Sequence, residues 1–151
     1  MGADVRRITA IHLHHSAGSE LDDPATVARY AVERNVGITH DPYHYHVWRR
    51  SDGGQLGADR WVVSPGRDID EDPASIKGHN TGAIAVCVHG RWDGVPLPIW
   101  ARDRLVALVK GLCAQYELTA TDVYGHREVT RTTLCPGYDC GEIRRLVMGG
   151  A

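Results

Sequence analysis

The sequence predicts an α/β fold, with short strands alternating with helices around one apolar core, and three stretches carry that prediction. Residues 8–15 (ITAIHLHH) begin as a short β-branched run, residues 83–89 (AIAVCVH) stay apolar until the last position, and residues 99–116 hold the longest helical pattern in the chain. Strands that alternate with helices imply a layered α/β structure.

Taken in order, residues 8–15 suit a strand in which Ile11 and Leu13 face one way and His12 and His14 the other. That alternation collects imidazoles on one face. Asp23 followed by Pro24 is a helix start, aspartate capping and proline in the first turn, and Val27, Tyr30, Ala31 and Arg34 follow at helical spacing. The predicted helix spans residues 24–35 and stops near Gly37. Residues 43–50 (YHYHVWRR) alternate and run into Ser51-Asp52-Gly53-Gly54, which predicts a hairpin returning through Gln55 to Gly57. Residues 58–82 carry Pro65, Pro73 and many turn residues without a sustained period, and read as an irregular loop that walls a cleft. Residues 83–89 read as a buried central strand. Pro96 and Pro98 then introduce a helix over residues 99–116, with Leu105, Leu108, Val109 and Leu112 on one stripe. Val123-Tyr124 makes a short strand and residues 142–148 a last helix.

Size and composition narrow the class. A chain of 151 residues with 42% hydrophobic content suits one compact domain, and no linker, repeat or low-complexity tract divides it. A formal net charge of -2 gives no excess to draw the chain to nucleic acid or anionic lipid. No stretch approaches the roughly 18 apolar residues of a membrane-spanning helix, and residues 1–15 lack the apolar core and cleavage site of a signal peptide. A soluble chain without membrane insertion is expected. Four cysteines, at 87, 113, 135 and 140, are too few and too unevenly spaced for a disulfide framework, so reduced thiols are expected. Nine histidines and no phenylalanine point toward metal or proton chemistry.

A catalytic zinc takes three protein ligands and keeps one position open. The candidates fall at His12-His14-His15, at His44 and His46, at His79 and His89, and at His126 with Cys135. Spacing alone does not choose among them.

Four segments in order, HLHHSAG, PYHYHVWRRSDG, KGHNTGAIAVCVHG and YGHREVTRTTLCPG, resemble the type 2 N-acetylmuramoyl-L-alanine amidases, phage endolysins among them, whose relatives include peptidoglycan recognition proteins. The resemblance covers about residues 8–145, and the GHR…CPG ending is its most specific part. It implies a central mixed β-sheet flanked by helices with a zinc-containing cleft, and a hydrolase acting on bacterial peptidoglycan as a monomer. It implies His14, His126 and Cys135 as zinc ligands and Tyr43 beside the metal as a catalytic group. Thr133 stands where many relatives have lysine; it can donate a hydrogen bond but supplies no fixed positive charge, so Arg131 or another group is expected to share its work. His79 matches a position at the cleft edge, Glu128 is expected to brace the metal histidines, and Trp61, in the long loop, is the tryptophan expected to stack on sugar. His12, His15, His44, His46 and His89 are assigned to packing or support.

Without a signal peptide, the chain is expected to be made in a host cytoplasm and to reach the wall after holin action. An intracellular muropeptide-recycling amidase would look the same. A non-catalytic binding module of the same fold is a further alternative, disfavoured because Cys135 is present. A cupin-like barrel, prompted by the HxH pairs, is disfavoured by the helix at residues 99–116.

Overall fold

The computed structural model describes residues 6–50 and 60–149. Its elements are β1 (Ala10–His15), α1 (Pro24–Arg34), β2 (Tyr45–Arg49), β3 (Trp61–Pro65), β4 (Ala83–Val88), α2 (Ile99–Tyr116), β5 (Val123–Gly125), α3 (His126–Val129) and α4 (Cys140–Val147). The strands form one five-stranded sheet in the order β3-β2-β4-β1-β5. It is mixed: β4 runs parallel to β1 and β2, β1 runs parallel to β5, and only β2 and β3 are antiparallel. The fold is the expected central mixed sheet with helices.

One face of the sheet is hydrocarbon. Ile11, Leu13, Val47, Ile84, Val86 and Val88 are fully buried, together with Leu105 and Val109 of α2. Burying each such side chain contributes about 1.5–3 kcal/mol, which fixes α2 across the sheet. α2 packs against β2 and β3, and α4 packs against α2. α1 contributes little to this core, burying only Val27. It holds its start through Asp23, whose carboxylate accepts the Thr26 N–H at 2.8 Å. Among the described residues no helix is long and apolar enough to cross a membrane.

Two readings of the sequence need correction. The stretch 58–82 is not all irregular, because Trp61–Pro65 form β3 and pair with β2 from Arg49↔Trp61 to Tyr45↔Pro65. The proline misled the reading; β3 is an edge strand, and a proline at its last position removes no bond the sheet requires. The return segment placed at Gln55 to Gly57 lies outside the described residues, and the strand that answers β2 is β3. A short helix, α3, follows β5 directly.

Candidate active site

The second face of the sheet is polar, and strand register explains how. His46 on β2 and His14 on β1 both pair with Cys87 on β4, so three side chains stand in one row across the central strands. On the far side Leu13 pairs with Gly125, the last residue of β5, so the next residue, His126, arrives beside His14. The imidazole centroids of His14 and His126 lie 5.0 Å apart.

His126 opens α3, and Glu128 starts that helix by accepting the Gly125 N–H at 2.8 Å. The same carboxylate grips the Arg144 guanidinium at 2.7 and 2.8 Å. Glu128 therefore supports His126 through the backbone and through α4, and not through a bond to a metal-site imidazole as expected. Cys135 is brought in by the loop after α3: the Thr133 hydroxyl accepts its N–H at 3.1 Å, and its carbonyl accepts the Arg127 N–H at 2.7 Å. The Cys135-Pro136 peptide is cis. Gly137 follows with φ +83°, where a Cβ would come within 2.4 Å of the Trp92 backbone, so only glycine fits.

One potential ligand atom from each of His14, His126 and Cys135 lies within 4.8 Å of the others. Cys135 Sγ is 3.7 Å from His14 Nδ1. Two ligands about 2.0 and 2.3 Å from a common tetrahedral zinc would stand about 3.5 Å apart. The His14 Nε2 is buried without a hydrogen-bond partner. Burial, reinforced by the neighbouring imidazoles, holds His14 well below the usual histidine range, and burial lowers His126, so both rings are neutral and able to ligate near pH 7. Burial pushes the Cys135 thiol up to about 12, partly offset by the His15 N–H that it accepts at 3.4 Å. A cation is the partner that would favour its thiolate. The donor set fits zinc.

Tyr43 precedes β2 and places its ring 5.2 Å from that of His14. Burial raises its phenol well above the usual range and its hydroxyl bonds the Cys87 thiol, so it remains a hydrogen-bond donor and not a base. Thr133 uses its oxygen to hold Cys135 and keeps its proton free to donate. Arg131 is exposed on the turn between α3 and Cys135. His79 is exposed too, close enough to His12 for its charge to lower that imidazole, which burial chiefly brings to about 4. Trp61 is a correction: only 4% exposed, it lies in the apolar core with its ring 6.4 Å from that of Trp92, and offers no face to a sugar.

Sequence reasoning passed over Cys87, which sits in the row between His14 and His46. Its signal was present: Cys87 on β4 and His89 just past its end repeat the two-residue spacing of His12 and His14. His44 is bound on both sides, accepting the Ala85 N–H at 3.0 Å and donating to the Glu71 carbonyl at 2.7 Å.

A mixed sheet whose polar face gathers two histidines and a cysteine beside a tyrosine is a candidate metal centre. A family model for N-acetylmuramoyl-L-alanine amidase matches residues 4–138, and the chain belongs to this family. No curated sequence is significantly similar to it. Among solved structures it is similar to the N-acetylmuramoyl-L-alanine amidase LysC from Clostridium intestinale URNW, with TM-score 0.76 and 22% identity over 97% of this chain and 88% of that one. The Ph2119 endolysin from Thermus scotoductus MAT2119 bacteriophage superposes with TM-score 0.72 and 23% identity, covering 99% and 93%. Drosophila peptidoglycan recognition protein SD gives TM-score 0.64 and 20% identity, covering 91% and 80%. At these identities the structural likeness speaks for the fold. Family membership supports peptidoglycan amidase activity.

Proposed function

We propose that this chain is a zinc-dependent amidase of the endolysin kind, hydrolysing the amide between N-acetylmuramic acid and the L-alanine of the stem peptide. The observation that carries the reading is the convergence of His14, His126 and Cys135 at ligand spacing on the polar face of the sheet. Zinc, when bound by these three, supplies a Lewis acid that lowers the pKa of water and polarises a carbonyl.

The remaining work falls to the chain. Hydrolysis adds the oxygen of water to the acyl carbon, breaks the C–N bond and leaves the proton on the alanine nitrogen. Negative charge gathers on the carbonyl oxygen in between, and we assign the Tyr43 phenol, kept protonated by burial, as a donor that exchanges its Cys87 partner for that oxygen. The Thr133 hydroxyl is the second donor. A neutral threonine stabilises that charge less than a lysine would. Beside Tyr43 a groove lined by Ser16, Ala17, Tyr30, Arg34 and Arg91 offers space for one arm of the substrate. By this reading the chain is made in a host cytoplasm and acts on the wall as a monomer after release.

Purified peptidoglycan digested with and without chelator tests the reading. New alanine amino termini, lost with chelator and restored by zinc, are expected. New reducing sugar ends, or amino termini indifferent to chelator, would overturn it.

A further inference from the structure

The most deeply buried polar groups outside the metal cluster form a chain of their own. His46 and His89 are both 0% exposed. His46 Nε2 lies 2.6 Å from Asp41 Oδ2, His46 Nδ1 lies 2.8 Å from His89 Nε2, and His89 Nδ1 lies 2.7 Å from the Asp22 carbonyl oxygen. That carbonyl only accepts, so a neutral His89 carries its proton on Nδ1 and presents a bare Nε2 to His46. His46 must then donate from Nδ1, and its contact with Asp41 needs one more proton. Three bonds thus require three protons, whereas a carboxylate and two neutral imidazoles hold two. Burial brings His89 to about 4, so the extra proton belongs to the Asp41–His46 pair.

The surroundings agree with that count. Facing the chain, Tyr43 and Cys87 are kept protonated by burial. The Arg67 guanidinium bonds the Asp41 main-chain oxygen, at 3.0 Å, and Asp23 lies toward His89. Gly66 is close as well: a Cβ there would come within 2.3 Å of Asp41 Oδ2 and 3.0 Å of His46 Nε2, so a glycine leaves room for their bond.

The chain ends on Tyr43. Asp41 Oδ1 accepts the Tyr43 N–H at 3.0 Å, and the His46 ring stands edge-on to the Tyr43 ring at 5.9 Å and 88°. We propose that Asp41, His46 and His89 act as one positioning unit for Tyr43, holding a shared proton between Asp41 and His46 and anchored at the entry to α1. The kinetic part rests on the reading of Tyr43 as an oxyanion donor; the proton count does not.

The substitution Asp41→Asn keeps every bond, its oxygen accepting from Tyr43 and its amide donating to a neutral His46. Asp41→Ala removes both contacts. On zinc-loaded protein, Asp41→Ala should lower kcat about 10- to 100-fold, as a small misplacement of a reacting group does, with KM and zinc content little changed. Asp41→Asn should stay within about threefold of the parent. Nitrogen-15 NMR of the histidines at neutral pH should show His46 protonated at Nδ1 and His89 at Nδ1 alone, and the Tyr43 ring signals should move in Asp41→Ala but not in Asp41→Asn. If Asp41→Ala does not fold, His89→Asn, which keeps the donor to Asp22 and drops His46, carries the same expectation. Full kcat and unmoved Tyr43 signals in the variant that folds, or a His46 protonated only at Nε2, would overturn the proposal. Should the parent show no amidase activity, the functional reading fails, and the NMR signals still decide the positioning unit.

Discussion

The two faces of the sheet are buried to the same depth and held by different forces. On the α2 face Ile11, Leu13, Ile84 and Val86 are 0% exposed, and on the opposite face His14 is 1% and Cys87, His46 and His89 are 0% exposed. A methyl group at that depth needs only contact, whereas an imidazole left without a partner costs about 1–3 kcal/mol. His46 and His89 meet that need inside the chain, through Asp41 and the Asp22 carbonyl. His14 does not, since its Nε2 has no partner and its Nδ1 faces only the Cys135 sulfur at 3.7 Å. Equal burial thus separates into a packed face and a ligand-seeking one, and the unmade bonds mark where chemistry belongs.

The largest effect should come from removing the ligand-seeking groups. If the proposed zinc site holds, His126→Ala or Cys135→Ser is expected to lower peptidoglycan hydrolysis by at least about 10³-fold, because the contribution of the metal would be lost whole. Bound zinc measured by elemental analysis should fall in step, while the far-ultraviolet circular dichroism persists. Full activity in both variants would sink the metal assignment. On the packed face Ile84→Ala should behave oppositely. It is expected to destabilise the protein by about 2–5 kcal/mol in urea unfolding, with kcat per folded molecule unchanged. A large fall in kcat with intact stability would mean that the faces are not separable.

Tyr43→Phe sharpens the same contrast within the polar face. The ring and its packing against His14 remain, and only the hydroxyl that burial keeps protonated is lost. Turnover should drop about 100-fold, the low end for removing one oxyanion donor. Zinc affinity should hardly move. Equal losses of affinity and turnover would make Tyr43 a structural residue.

This division also explains what was legible in the sequence. The packed face announces itself by periodicity: the run at residues 83–89 and the Leu105, Val109, Leu112 stripe were read directly, because apolar contact leaves a regular pattern. Asp23-Pro24 likewise spelled out its helix start. The polar face follows no such rule. Nine histidines are visible in the chain, but which of them meet depends on the parallel register that sets His46, Cys87 and His14 in a row, and register is a long-range property. Motif resemblance singled out His14, His126 and Cys135 without explaining why they converge. It had nothing to offer on Asp41, His46 and His89, whose link runs from residue 22 to residue 89 through three separate elements. Trp61 went astray for a related reason: a short edge strand ending in proline reads locally as loop, and its burial follows only from pairing with β2 beneath α2.

The smallest effect concerns acid. Burial holds His89 at about 4 in the folded chain, against an ordinary histidine value of 6.5. The unfolded chain therefore binds the proton that the folded one refuses. The stability that neutral His89 contributes is complete above about pH 6.5 and drains away as pH falls toward 4. Thermal unfolding of zinc-loaded protein should show the midpoint falling between pH 6.5 and 4 by roughly 5 °C more than in His89→Asn. Parallel curves for the two proteins across this range would mean that His89 is not the neutral end of the chain.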